Sequence, residues 1–214
     1  MASELGNKVH KHLLQLGIET PFFDFKGTKD DARTAITKEV YDVLASLGLN
    51  LSDDSLRDTP KRVAKMYCDE IFTGLNYDNF PECTSISNGI KYDEMILCKA
   101  SVVSLCEHHL VPFQGVAHVA YIPNSKVIGL SKINRIVDFF SRRPQVQERL
   151  TVQICETLKL VLETEDVAVV ISAEHLCVKL RGIKDQLSST TTSKMSGKFF
   201  SVPSLRGELL ALLK

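Results

Sequence analysis

The sequence has no excess charge of either sign, no leader-like apolar segment and no hydrophobic run long enough to enter a bilayer. Its 26 basic and 26 acidic residues cancel. That balance excludes a nucleic-acid binder working through a broad cationic surface and leaves any anionic ligand to a few placed side chains. The first twenty residues mix Glu4, Lys8 and Lys11 with leucines and hold nothing like the apolar centre of a signal peptide, so export is not expected. The best uncharged apolar run, Val167 to Ala173, is far shorter than the roughly 20 residues a spanning helix needs. Repeats and low-complexity tracts are missing apart from the polar run Ser188 to Ser193, read as a loop or edge strand. The expectation is a soluble cytoplasmic protein without nucleic-acid or membrane partners.

What is present is a chain of 214 residues with 44% hydrophobic content, enough for one core-forming domain with an appended segment or for two small domains. Six cysteines, at 68, 83, 98, 106, 155 and 177, are expected to be reduced in a chain without a leader. Those at 68, 83, 98 and 155 read as small packing residues, and His10, His12 and His118 as structural.

Periodicity divides the chain. Leu5, Val9, Leu13 and Leu16 predict a short helix stopped at Gly17. Thr28 and Asp31 have capping-box spacing ahead of a stripe of Ile36, Val40, Val43, Leu44 and Leu47 that ends at Gly48. Thr59 is read as the N-cap of a third helix, with Pro60 at its first position. Strands are expected at Met95 to Leu105, Gly115 to Ile122, Val167 to Ala173 and Leu176 to Leu180. Between them fall two helices, one capped by Ser131 and carrying Ile133, Ile136, Val137 and Phe140, the other beyond Pro144 carrying Val146, Leu150, Ile154, Leu158 and Val161. Leucines after Pro203 predict a closing helix. The fold class is α+β, an antiparallel sheet with helices packed on one face, with an N-terminal helical segment over 1–90 and the α+β domain over 91–214.

The densest chemical signal is Ser104 to Phe113, where Cys106 and His109 have C-x-x-H spacing suited to presenting a thiolate and an imidazole to one ion. Partners exist at His175-Leu-Cys177, where alternation along a strand puts positions 175 and 177 on one face. Two cysteines and a histidine would leave a tetrahedral zinc with one open position, the mark of a catalytic site. A closed structural site that also takes His108 is the alternative.

Several longer segments carry a resemblance. Cys106-Glu-His-His109, Gly129 to Arg135, Arg143 to Thr151, His175 to Gly182 and Thr190 to Ser193 are similar, in order, to the motifs of the type I GTP cyclohydrolases. So are Asp53 to Leu56, Thr59-Pro60, Arg62 to Met66 and Asp69 to Phe72, and the likeness weakens only over roughly the first 30 residues and after Gly197. The resemblance implies a tunnelling-type fold and one Zn2+ per chain held by Cys106, His109 and Cys177. It implies proton transfer by His108 and His175, a guanine anchor in Glu148 and a neighbouring base contact in Gln147. Triphosphate contacts fall to Ser131, Lys132, Arg135 and Arg181, with Arg62 as a further candidate. It further implies GTP as substrate, formate and dihydroneopterin triphosphate as products, a place at the start of folate and pterin synthesis, and a decamer of two stacked pentamers. Two other readings stay open: a non-enzymatic zinc module, and a different enzyme on the same purine- and pterin-binding fold. Departures from the family pattern lie in the tail Lys194 to Ser204, at Met195 and Phe200.

Overall fold

The computed structural model describes residues 3–23 and 26–213. The chain opens with helix α1 (Glu4–Gln15), capped by the Ser3 hydroxyl accepting from Gly6 N and stopped at Gly17, whose φ of +67° suits a residue without Cβ. Helix α2 (Lys29–Ser46) starts with the expected capping box: Thr28 N donates to Asp31 Oδ2 at 2.8 Å and Asp31 N to Thr28 Oγ1 at 3.1 Å. Its apolar stripe does not enter the core of this chain. No described residue of α2 is buried, and Val43 and Leu47 are largely exposed. Helix α3 (Thr59–Met66) corrects one boundary, since Asp58 is the N-cap, Thr59 is already helical, and no side chain caps the end. A π turn, Tyr67–Ile71, extends α3, and Asp69 there ties back to Lys29 at 2.7 Å and Arg33 at 2.6 Å.

Strands β1 (Ser85–Ser87), β2 (Ile96–Cys106), β3 (Pro112–Tyr121) and β4 (Lys126–Ile128) follow. Then come α4 (Leu130–Ser141), β5 (Pro144–Gln145), α5 (Gln147–Leu162), β6 (Val167–His175), α6 (Leu176–Lys179), β7 (Thr190–Met195), α7 (Lys198–Ser201) and α8 (Pro203–Leu212). β1 and β4 form a small antiparallel pair; the main sheet runs β5-β2-β3-β6-β7. Its long pairings are antiparallel, and only the two-residue β5 joins β2 in parallel. The architecture is the α+β one expected, with one strand corrected: Leu176 to Leu180 is a helical turn instead of a strand. Of the two readings given to the polar run at 188–193, the edge strand holds, as β7. Ser131 does not cap α4, whose N-cap is Gly129 with no side-chain bond.

The core packs two helices on one face of the sheet. Ile133, Ile136, Val137 and Phe140 of α4 and Leu150, Ile154, Leu158 and Leu162 of α5 are fully buried against Val102, Ala117, Val119, Val169 and Ile171. Each such side chain contributes about 1.5–3 kcal/mol by leaving water. A smaller cluster on the other face seats Phe199 and Leu209 on Ala120, Ile122 and Ala168, so α7 and α8 cover one end of that face. Gly115 of β3 admits no side chain: a Cβ there would stand 2.0 Å from the Ser172 carbonyl oxygen.

The N-terminal segment is anchored by a buried ion pair. Arg143, fully buried, donates to Glu19 at 2.8 Å and to the Gly74 carbonyl, and lies 4.9–5.3 Å from the ring centres of Tyr77, Phe139 and Phe140. The Tyr77 hydroxyl donates to the same carboxylate, and Gln153 Nε2 donates to the Ile18 carbonyl at 2.8 Å. His10 stacks on Tyr77 with ring centres 4.4 Å apart, the structural role expected of it.

Candidate metal centre and active site

Strand register brings the site together. Leu105 and Cys106 at the end of β2 pair with Pro144 and Gln145 of β5, while Phe113 at the start of β3 pairs with His175 at the end of β6. Four strand ends therefore meet at one end of the sheet, and α5 begins beside them. The loop from Cys106 to Val111 is held tightly. Cys106 N donates to the Val111 carbonyl at 3.0 Å, Leu110 N to the Cys106 carbonyl at 2.8 Å, and Leu110 takes a left-handed φ of +51°. Glu107 N donates to the Gln145 carbonyl at 2.9 Å and the Glu107 carboxylate pairs with Arg149. Sequence reasoning missed that clamp, since nothing local marks Arg149 as the partner.

Cys106, His109 and Cys177 offer ligand atoms that all lie within 4.8 Å of one another. Donors around a tetrahedral zinc stand about 3.3–3.8 Å apart, so the group is gathered close to ligation distance, and a Cys–His–Cys donor set suits zinc. Cys177 arrives by a different route from the one expected, because β6 ends at His175 and Cys177 sits in the helical turn α6. Burial and the neighbouring Cys106 raise the Cys177 thiol pKa, a cost that a bound cation reverses. His108 stands outside the trio and is mostly exposed, its Nδ1 3.6 Å from Cys106 Sγ.

His175 stacks on Phe113, ring centres 4.7 Å apart and 11° from parallel, and its Nε2 lies 2.8 Å from Gln147 Oε1. Burial lowers its pKa, while the carboxylate of Glu148 pulls it back upward. Glu148 is exposed in the first turn of α5, with no hydrogen bond or ion pair among the described residues, and so is free to accept from a ligand. Gln147 is not free to donate to one. Its Nε2 is occupied by the carbonyls of Ile171 and Thr190, both at 3.0 Å, and by Thr192 Oγ1 at 3.1 Å. That amide nitrogen is thus engaged within the chain.

The nominated cations separate. Arg181 donates to His109 Nε2 at 2.9 Å and so stands at the metal group. Burial pushes the Cys83 thiol pKa up to about 11 even though the nearby Lys132 cation pulls it down. Arg135 faces a cavity lined also by Thr73, Asn79, Pro81 and Asp138. Arg62 pairs loosely with Asp58 at 3.9 Å, and Ser131 is exposed at the start of α4. Within one chain, among the described residues, no hydrogen bond or ion pair joins these four to the metal group.

Fold and site together define an α+β protein with a Cys–His–Cys group able to hold a metal ion. The sequence profile of the GTP cyclohydrolase I family matches residues 36–214. The chain is 52% identical over 213 residues to the GTP cyclohydrolase 1 of Shewanella denitrificans, covering 99% of this chain and 98% of that one. It is 51% identical over 209 residues to the enzyme of the same name from Shewanella putrefaciens, covering 97% and 98%. The solved structure of the archaeosine synthase QueF-Like in the apo form overlaps 48% of this chain and 93% of its own, at 20% identity and a TM-score of 0.41. This chain belongs to the GTP cyclohydrolase I family.

Proposed function

We propose that the protein opens the imidazole ring of GTP by hydrolysis, releases formate and recloses the remaining atoms as 7,8-dihydroneopterin triphosphate. The observation that carries this reading is the gathering of Cys106, His109 and Cys177 at a strand edge shared with two imidazoles outside the ligand group, His108 and His175.

Cys106, His109 and Cys177 would hold one Zn2+ per chain, which when bound would supply Lewis-acid activation of water near neutral pH. The remaining work belongs to the chain's own side chains. Glu148 accepts from both N1–H and the exocyclic amine of guanine, a paired donor edge that adenine lacks. His108 and His175 exchange protons with the ring nitrogen next to carbon 8 and with the ring-opened formamide. Arg181 binds a phosphate oxygen beside the metal group, and guanidinium forks suit such oxygens. Lys132, Arg135, Ser131 and Arg62 complete the triphosphate site from neighbouring subunits of a decamer of two stacked pentamers. The protein works in the cytoplasm, at the entry to folate and pterin synthesis; no helix among the described residues is long and apolar enough to cross a membrane.

The test is incubation with GTP, reading formate release and the fluorescence of the oxidised pterin, alongside metal analysis of the wild type and of Cys177→Ala. The expected result is turnover with one zinc per chain in the wild type, and loss of both in the variant, because two remaining ligands rarely hold the ion. Full zinc content in Cys177→Ala would overturn the ligand assignment, and absent formate the activity.

A further inference from the structure

We propose that Gln147 is the positioning residue for His175: it fixes the ring's orientation and assigns the hydrogen to Nε2, leaving Nδ1 as the nitrogen that works on substrate. The inference rests on the proton-handling role given to His175 above.

The assignment follows from donors and acceptors alone. The Thr151 hydroxyl donates to the Gln147 carbonyl at 2.8 Å, so in its 2.6 Å contact with Thr192 Oγ1 it can only accept, and Thr192 donates. The lone pair left on Thr192 then receives an N–H of Gln147 at 3.1 Å. The carbonyls of Ile171 and Thr190, each 3.0 Å from the same nitrogen, accept and cannot donate. Three acceptors around Nε2 leave the amide one orientation, because its reversal would set Oε1 against two carbonyl oxygens. Oε1 therefore points at His175 and, being an acceptor, requires a hydrogen on Nε2 of that ring at 2.8 Å.

The surroundings make this a rigid support. Gln147 is 2% exposed, its partners come from the central strand β6 and the edge strand β7, and Phe113 lies parallel to the His175 ring on one side. Nδ1 of His175 has no partner among the described residues, so it is the ring position open to a ligand. With this contact removed, the ring keeps its stacking but loses both its tautomer preference and its in-plane orientation.

The experiment is a double-mutant cycle on the full-length, zinc-loaded protein, with Gln147→Leu, His175→Ala and the combination measured for kcat, KM for GTP, zinc content and thermal midpoint. We expect Gln147→Leu to lower kcat about 10- to 100-fold, with KM within about twofold of wild type and zinc retained. In the His175→Ala background the same change should cost less than about twofold, since there is no ring left to position. Thr192→Val, which removes one acceptor and keeps the shape, should lower kcat a few-fold with the same non-additivity, and serves if Gln147→Leu does not fold. A raised KM with kcat kept, or an undiminished loss in the His175→Ala background, would overturn the proposal in favour of a direct base contact or a purely structural role. Wild-type turnover in His175→Ala alone would remove the proton-handling role itself, and with it any need for positioning.

Discussion

The two imidazoles at the site live in different surroundings, and their separate tasks follow from that. The side chain of His108 is 64% exposed on the loop after β2, whereas His175 is partly buried, stacked on Phe113 and tied to Gln147. Replacing either with Ala should leave zinc near one per chain and cut formate release by roughly two to four orders of magnitude, as expected when a general acid or base is lost. His175→Ala should also accumulate the ring-opened formylamino intermediate, which mass spectrometry detects; zinc loss from both variants would make them ligands instead. Glu148→Gln should cripple GTP use and keep the metal, because the neutral amide sets a donor against guanine's own donors. Near-normal kcat/KM in that variant would reduce Glu148 to a charge at the N-terminus of α5. At this scale much was legible in advance: the C-x-x-H spacing of Cys106 and His109 is a local signal, and His175 and Cys177 stood out as partners. The network that holds Gln147 was not legible, because its hydrogen-bond partners at 171, 190 and 192 come together only through the pairing of β6 with β7.

Elements carry their own constraints, and the sharpest is in β3. A Cβ at Gly115 would stand 2.0 Å from the Ser172 oxygen and 2.7 Å from the Ala173 Cβ, so Gly115→Val forces β3 and β6 apart. It should destabilise by about 1–3 kcal/mol or more, read as a lowered thermal midpoint, and reduce turnover, because Phe113 and His175 pair two residues away. Gly207→Ala in α8 is the control. Nothing lies within 4 Å of the new carbon, and helix propensity predicts a gain of about 0.5–1 kcal/mol. Elements announced by local chemistry were readable from sequence: the Thr28 and Asp31 box, the stop at Gly17, and the buried stripes of α4 and α5. Leu176 to Leu180 was misread because four apolar residues in five look like a strand, while the chain turns there to bring Cys177 to Cys106. Thr59 and Ser131 each erred by a residue or two at a helix start, where a hydroxyl suggests a cap that the fold does not use.

For the whole molecule, the placement of Arg135 at a cavity whose lining includes none of the metal group, and the exposed stripe of α2, both favour assembly. Light scattering should report a decamer, and full turnover by a monomer would refute the shared triphosphate site. The anchoring of the N-terminal segment had no sequence signal, since Glu19 and Arg143 lie 124 positions apart. Glu19→Ala leaves a fully buried guanidinium without its carboxylate, which should cost about 3–5 kcal/mol, seen as a lower denaturation midpoint with zinc still bound at low temperature. The same pair bears on how the chain is made and shortened. During synthesis Arg143 emerges long after Glu19, so the carboxylate must wait for its cation, and the two halves cannot settle independently. A protease cut or a deletion that takes away the first twenty residues therefore removes more than a surface helix. It opens the aromatic cage of Tyr77, Phe139 and Phe140 around an unpaired charge, four positions before Gln147, and such a chain should emerge from the ribosome prone to aggregation even though every catalytic side chain is still in it.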